Sequence, residues 1–172
     1  MILIAAVSED GFISTGSGVP WDLPEDREHF RRLTRGQWLL LGRRTFDEMR
    51  GWLHRDHHPL VLTSRPLPAP WECAGIAGVE EAIARAGAGG AGELWVCGGA
   101  SVYERAMPVA DELILTEVRD RLGGGVRFPK IDPDEWIVTR REPGGGGTGP
   151  AFAWVWYRRR SVNGAGVAQG VV

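Results

Sequence analysis

The sequence of 172 residues contains only two cysteines, Cys73 and Cys97, and its net charge is −2. Two thiols are too few for the disulfide framework of a small secreted domain or for a cysteine-based metal cluster. A charge this close to zero gives no long-range attraction toward nucleic acids or acidic membranes. No apolar run reaches the roughly 18 residues needed to span a bilayer, and no basic segment precedes an apolar stretch. We therefore expect a cytoplasmic protein that acts on small molecules, without nucleic acid or membrane as a partner.

Hydrophobic residues make up 43% of the chain and charged residues 24%, the proportions of an ordinary globular protein. A chain of this length can bury a sizeable core as one domain. The eight tryptophans follow no repeat period, so we interpret them as packing residues and pocket walls. We predict one domain over 1–160 that acts as a monomer or a homodimer. A disordered tail is predicted over 161–172, which is small, glycine-rich and nearly uncharged.

Short apolar runs alternate with helical segments along the first 118 residues. Strands are predicted by five such runs, at 1–7, 38–42, 60–63, 94–97 and 112–118. Helices are predicted at 24–34, from Thr45, at 79–86 and at 100–107. This alternation is typical of βαβ units and predicts an α/β fold with a mainly parallel central sheet. Two later apolar runs, 136–139 and 152–157, flank a glycine turn and predict a closing antiparallel C-terminal hairpin.

Three of the predicted strands run directly into small, hydroxyl or basic residues. In an open α/β sheet, ligands bind beyond the carboxyl ends of the strands, where free backbone N–H groups attract anions. Three such edges in one chain indicate a dinucleotide. The segments are 39–45, 60–65 and 94–101.

Asp26 is an acidic residue on the apolar side of the first predicted helix. It shares that side with Leu23, Phe30 and Leu33, at spacings that place residues on one helix face. Burial of an unpaired carboxylate costs free energy, so this acid is a candidate for binding an amidine-like group or assisting proton transfer. An acid in the first helical turn can also serve the helix dipole alone, as Glu25 does. Helix position leaves both interpretations open.

Five segments together resemble dihydrofolate reductase in their order and separation. They are 18–26 with Phe30, 41–45, 96–103, 113–116 and the pair Phe128-Pro129. Any one of these segments is a weak signal, whereas five in register over about residues 1–160 are strong evidence for the fold. The resemblance implies a dihydrofolate reductase-like three-layer α/β sandwich, with a mostly parallel central sheet and an antiparallel C-terminal hairpin.

The resemblance also implies a substrate site. Asp26 matches the family's acid on the first helix, which pairs with the amino-pyrimidine edge of a pterin and supports protonation of the ring. Thr116 would hydrogen-bond that acid, and Trp21 would lie under the loop that closes over nicotinamide and substrate. The other substrate-binding residues implied are Ile4, Ala5, Ala6, Phe30, Met49, Arg55, His57, Cys97 and Tyr103.

NADPH is the cofactor that the resemblance implies. Arginine side chains match phosphate geometry, and two or three near one edge favour NADPH over NADH. Two glycine-containing turns would flank the pyrophosphate, and 63–65 would hold the adenosine phosphate. The implied cofactor-binding residues are Ala6, Ile13, Gly42, Arg43, Arg44, Thr45, Leu62, Thr63, Ser64, Arg65, Gly98, Gly99, Ala100, Ser101 and Val102.

Several positions depart from the family's pattern. His57 stands where the family has an arginine that binds the glutamate carboxylate of folate, and a neutral imidazole does not replace a bidentate guanidinium. Arg55 is the candidate replacement. Arg27 occupies a usually apolar position, and 123–125 are glycines where the family has an acid that supports loop closure. We therefore expect an intact cofactor site and an altered site for the substrate tail.

The predicted function is hydride transfer from NADPH to a C=N bond of a pterin, as in the conversion of 7,8-dihydrofolate to tetrahydrofolate. One alternative is reduction of a non-folate imine or conjugated heterocycle, and another is a pyrimidine reduction like that of riboflavin biosynthesis. A third, of a different class, is a non-catalytic nucleotide-binding module. Histidines 54, 57 and 58 have no matching ligand cluster elsewhere in the chain, so no metal site is expected.

Overall fold

The computed structural model describes residues 1–16, 18–54, 56–145 and 149–161. The strands are β1 (Ile2–Ser8), β2 (Phe12–Ser14), β3 (Trp38–Gly42), β4 (His58–Leu62), β5 (Gly75–Ile76), β6 (Leu94–Gly98), β7 (Glu112–Val118), β8 (Val126–Arg127), β9 (Trp136–Gly144) and β10 (Phe152–Arg159). The helices are α1 (Pro24–Thr34), α2 (Arg43–Met49), α3 (Val79–Ala88) and α4 (Ala100–Ala106), with short 3-10 turns at Glu72–Ala74 and Met107–Val109. None of these helices is long and apolar enough to cross a membrane.

Eight of these strands form one sheet in the order β5-β4-β3-β6-β1-β7-β10-β9. The strands from β5 to β7 pair in parallel, and β10 pairs antiparallel with both β7 and β9. The predicted parallel sheet and its closing antiparallel hairpin are therefore confirmed. The remaining strands, β2 and β8, form a separate antiparallel pair.

The core lies on both faces of the sheet. Leu39, Leu40 and Leu41 of β3 are fully buried, and successive side chains of a strand point to opposite faces. Leu40 packs in a cluster with residues of α3 and α4, whereas Leu39 and Leu41 pack with Phe46 of α2 and with the apolar side of α1. This arrangement explains the continuous apolar runs, because a strand covered on both faces has no polar side. The predicted three-layer sandwich is confirmed.

The helix α1 begins and ends where the sequence predicts. Pro24 occupies the first turn, where its missing N–H costs no hydrogen bond, and the acidic and basic residues lie at the ends that the helix dipole favours. The helix α2 begins at Arg43, two residues before the predicted Thr45, because Gly42 is already its extended cap residue. The short strands β2, β5 and β8 were not predicted, since two or three residues are too few to show a periodic pattern.

The β9–β10 hairpin is longer than predicted, because β9 continues to Gly144 and β10 to Arg159. The predicted glycine turn overlaps residues 146–148, which lie outside the described residues. Of the disordered tail predicted over 161–172, residues 162–172 also lie outside them.

The loop between β1 and α1 is bonded to the loop that follows β7. Asp10 accepts hydrogen bonds from the Ser8 hydroxyl at 2.6 Å and from the backbone N–H groups of Leu122 and Gly123. The Ser8 bond, with these backbone bonds, lowers the pKa of Asp10 to about 2. At Gly125, with φ of +124°, a Cβ would lie 2.1 Å from the carbonyl oxygen of Ser14, so only glycine fits. These contacts hold the glycine segment against the first loop.

Candidate active site

A cavity of about 770 Å³ opens beside the carboxyl ends of β3 and β6, and α1 and β7 contribute to its wall. Ligands of open α/β sheets bind at such edges. The β1–β6 ladder pairs only Ile2 and Leu3, so the two strands separate from Ile4 onward. The predicted site residues on the cavity wall are Ile4, Ala5, Ala6, Ile13, Trp21, Asp26, Phe30, Gly42, Arg43, Arg44, Thr45, Met49, Cys97, Gly98, Gly99, Ala100, Ser101, Tyr103 and Thr116.

The half-buried carboxylate of Asp26 is bonded by neutral donors. Its Oδ1 accepts hydrogen bonds from the Thr116 hydroxyl at 2.6 Å and from Trp154 Nε1 at 2.8 Å. Within the part of the chain that the structure describes, no cationic side chain forms an ion pair with it; the adjacent Arg27 is bonded to Asp22 instead. The carboxylate therefore keeps its capacity to accept hydrogen bonds from a ligand that carries adjacent N–H groups.

Aromatic rings pack around the Trp154 indole that bonds this carboxylate, and one of them, His29, also lines the cavity. His29 stacks on Trp154 with ring centroids 4.3 Å apart and meets Trp156 edge-on at 5.9 Å. Burial and the neighbouring Arg32 guanidinium lower the pKa of His29, so its ring is neutral at neutral pH. The carboxylate thus lies against a neutral aromatic cluster.

Tyr103 bonds β1 at the point where β1 and β6 separate. Its hydroxyl donates a 2.6 Å hydrogen bond to the carbonyl oxygen of Ile4, and the side chain is 4% exposed. Burial raises the pKa of Tyr103 well above its usual value, so the hydroxyl retains its proton. Burial likewise raises the pKa of the Cys97 thiol, which remains protonated and unreactive. These two residues form the apolar floor of the cavity.

The turns after β3 and β6 approach each other closely through glycine. A Cβ on Gly42 would lie 3.1 Å from Val102 Cγ2 and 3.3 Å from the backbone nitrogen of Gly99. Gly98 has φ of +103°, and a Cβ there would lie 3.0 Å from the Tyr103 ring. No side chain caps the helix that follows either turn. Backbone atoms therefore line this part of the wall, as the close approach of a pyrophosphate requires.

A second cavity, of about 370 Å³, is lined by Thr63, Ser64 and Arg65. Arg43 lies on the wall of the first cavity and donates a 2.9 Å hydrogen bond to the carbonyl oxygen of Pro66, which lines the second. Arg65 is exposed on the wall of this second cavity, and the exposed Arg44 lies on the wall of the first. The hydroxyl and guanidinium groups of these two cavities can donate hydrogen bonds to a phosphorylated ribose and to a pyrophosphate, so the residues present fit a dinucleotide phosphate.

Three predicted site residues, Val102, Leu62 and His57, lie on the wall of neither cavity, and a fourth falls outside the described residues. Val102 is fully buried beneath Gly42, and Leu62 packs against the core. His57 is 5% exposed, accepts the backbone N–H of His54 at Nδ1 and packs on the Trp52 ring. It therefore lies behind the wall, and a direct substrate contact would require it to leave Trp52. Arg55 lies outside the described residues.

The described histidines of this segment pack against each other and against tryptophan rings. Burial lowers the pKa of His57, and the ring of His58 stacks on Trp38 at 4.9 Å. Among the residues described, no group of three or more His, Cys, Asp or Glu side chains could hold a metal ion.

Trp21 and its loop were predicted through the resemblance, but the partners of this loop were not. Trp21 Nε1 donates a 2.8 Å hydrogen bond to Asp120 Oδ2. Asp120 and Asp10 thus supply carboxylate contacts to this loop pair, although the family's acid is replaced by glycine at 123–125.

Sequence reasoning did not single out Trp154, His29, Trp52 or Arg31 as site residues. Trp154 is opposite Thr116 in the β10–β7 register, which a predicted hairpin without a known neighbour does not reveal. His29 lies three residues after Asp26, so helical spacing alone could have found it. Trp52, which the sequence assigned with the other tryptophans to packing or pocket walls, lines the cavity, and so does Arg31, which did not stand out in the sequence.

An open α/β sheet with glycine-edged turns, arginines and a carboxylate around one cavity is the arrangement expected of an oxidoreductase that uses a nicotinamide dinucleotide. The family model for dihydrofolate reductase matches residues 1–157. The chain belongs to the dihydrofolate reductase family.

Similar proteins come from distant organisms. "Dihydrofolate reductase HdrB" of Haloferax volcanii is 34% identical over 166 residues, covering 92% of this chain and 83% of that protein. Dihydrofolate reductase of Neisseria meningitidis serogroup A is 34% identical over 158 residues, covering 91% of this chain and 96% of its own. The solved structure of dihydrofolate reductase from Enterococcus faecalis, complexed with NADP(H) and RAB-propyl, has a TM-score of 0.79 and 29% identity, and covers 92% of this chain and 95% of that one.

Proposed function

We propose that this protein reduces 7,8-dihydrofolate to tetrahydrofolate with NADPH, in the cavity between α1 and the glycine-edged turns. The observation that carries this proposal is the Asp26 carboxylate, which is held by two neutral donors on the wall of the same cavity as the two turns. Membership in the dihydrofolate reductase family supports it. When bound, NADPH supplies the hydride that reduces the C=N bond.

The cofactor residues are assigned by the chemistry of each wall. Backbone N–H groups at 98–101 and at Gly42 to Thr45 bind the pyrophosphate, because no side chain caps the helix that follows either turn. Arg44 and the hydroxyl groups of 63–65 bind the adenosine phosphate, with Arg43 joining the two regions through Pro66.

The substrate residues bind and orient a flat heterocycle. The Oδ2 atom of Asp26, which has two lone-pair sites, accepts hydrogen bonds from the exocyclic amino group and the adjacent ring N–H of the pyrimidine edge. Phe30 and Met49 pack against the ring, and Trp21 and its loop exclude water from the C=N bond. The ring nitrogen takes a proton from water before the hydride adds to the neighbouring carbon, so no negative charge develops on the nitrogen, and Asp26 keeps the ring oriented.

The tail of the substrate extends along the outer wall, where the exposed guanidinium groups of Arg27 and Arg31 lie four residues apart on α1. Arg27 is bonded to Asp22, so Arg31 is the cation available to a tail carboxylate. His57, which stands where the family has its tail-binding arginine, is buried and does not take this role.

We further propose that residues 1–160 act as a single domain and that the protein works in the cytoplasm as a monomer or a homodimer.

Asp26→Asn tests this function. Loss of the ionised acceptor should lower kcat with dihydrofolate at neutral pH by at least about 100-fold, since acid–base and orienting groups contribute on that order. The affinity for NADPH, measured by fluorescence, should stay unchanged. Glu28→Gln, on the exposed side of the same helix, is the control and should retain full turnover. If Asp26→Asn retains full activity, Asp26 has no part in the mechanism; if the wild-type protein binds NADPH without turnover, the non-catalytic alternative is favoured.

A further inference from the structure

The carboxylate of Asp26 receives both of its hydrogen bonds on one oxygen. Thr116 and Trp154 donate to Oδ1, and within the described ranges no donor is bonded to Oδ2. An ionised carboxylate oxygen has two lone-pair sites, so Oδ1 is filled and Oδ2 is left for a ligand. Two donors from different strands also fix the side-chain torsion of the acid, because rotation would break both bonds.

The Trp154 indole is itself held in place. The side chain is 9% exposed, lies between the Phe152 ring at 5.3 Å and the His29 ring at 4.3 Å, and does not line the cavity. Because β10 pairs with β7 in a register that places Trp154 opposite Thr116, the two donors reach the acid from adjacent strands. Trp154 therefore contacts the acid from behind and touches neither substrate nor cofactor.

The His29 ring stays neutral in this stack. A guanidinium only donates, so the 2.9 Å contact of Arg32 with Nδ1 makes Nδ1 the acceptor and leaves the proton on Nε2. Burial and Arg32 lower the pKa of His29, together with Arg140, whereas Asp26 and Glu142 act in the opposite direction. A neutral ring adds no charge beside the acid, so the indole N–H is the group of this cluster that acts on Asp26.

We propose that Trp154 is a positioning residue: its indole N–H, buttressed by the stacked His29 ring, holds Asp26 in the orientation that presents Oδ2 to the substrate and stabilises the ionised acid. This inference rests on the proposed function for its kinetic consequences, but the hydrogen bond itself can be observed without turnover.

The kinetic test is Trp154→Phe, which keeps a ring and removes the N–H. Loss of a hydrogen bond to a charged group should lower kcat at neutral pH about tenfold. The acid limb of the pH–kcat profile, where the ionised form of Asp26 is lost, should move to higher pH, because removal of the donor makes ionisation of this acid less favourable. NADPH affinity should not change. Trp156→Phe is the control, since it also removes an indole that contacts His29 but bonds no carboxylate, and its profile should match the wild type.

The direct test is the indole N–H resonance of Trp154 in a ¹⁵N-correlated NMR spectrum, which contains one such signal for each of eight tryptophans. Asp26→Asn should move this resonance upfield and leave that of Trp156 in place. The inference is overturned if the Trp154 indole N–H resonance does not shift in Asp26→Asn, or if Trp154→Phe has the pH profile of the wild type. If the resonance responds while the wild type fails to reduce dihydrofolate, the proposed function fails and the positioning contact stands.

Discussion

Tyr103→Phe is expected to destabilise the fold, because it removes one hydroxyl and leaves the ring in place. The hydroxyl bonds the Ile4 carbonyl at a point where the β1–β6 ladder has ended. Removal of the donor leaves a buried carbonyl with less hydrogen bonding, which costs about 1–3 kcal/mol. In a chain of this size, a change of about 2 kcal/mol corresponds to a fall in Tm of about 4–8 °C.

The assay is urea and thermal unfolding without ligand, followed by circular dichroism. Burial raises the pKa of Tyr103, so the stability that comes from its protonated hydroxyl is fully present below the usual tyrosine pKa and is lost as the pH rises through the folded-state pKa. The difference between wild type and Tyr103→Phe should therefore stay constant from about pH 6 to about pH 9.

Tyr157→Phe is the matched control, since Tyr157 is the second of only two tyrosines and bonds Glu117 at a partly exposed position. Water can replace that bond, so we expect a smaller loss. If Tyr103→Phe unfolds at the wild-type urea concentration, or if the control loses more stability, the bond from the Tyr103 hydroxyl to Ile4 does not stabilise the fold.

Two further outcomes are expected. The pKa of Asp10 is lowered to about 2 from a usual 3.8, so its ionised form contributes stability at neutral pH that is lost as the pH falls through that interval. The Tm of Asp10→Asn should therefore depend less on pH between about 4 and about 2 than the Tm of the wild type, and an equal dependence would contradict this role of Asp10. Arg31→Ala should raise KM for dihydrofolate about tenfold with little change in kcat or NADPH affinity, and should leave KM unchanged for a pterin substrate without a tail carboxylate; equal effects on both substrates would exclude Arg31 as the tail-binding group.

The sheet and the helix that carries Asp26 were predictable because their signals are local. The apolar run at 39–41 specifies a strand covered on both faces, and the spacing of Leu23, Asp26 and Phe30 specifies a helix with an acid on its apolar side. Both features depend on residues within two or three turns of each other. Local patterns of this kind decide the fold of the chain.

The surroundings of Asp26 depend on contacts between residues that are distant in the chain. Thr116 was found only through the family resemblance, and Trp154 was not found at all, because the register of β10 on β7 is set by a sheet that no single segment encodes. His57 was placed at the substrate because the family has an arginine there, whereas packing on Trp52 buries it. The site is therefore predictable in composition but not in its supporting contacts.

The separation of β1 from β6 has a consequence for how ligand affinity can change through mutation. Ile4 lines the cavity, and Tyr103 bonds its main-chain carbonyl oxygen; every amino acid carries such an oxygen, and no point substitution deletes it. An inhibitor that donates a hydrogen bond to this carbonyl oxygen would lose that bond only if the strand itself moved. An inhibitor that binds the Arg31 side chain would lose its contact through a single substitution of Arg31.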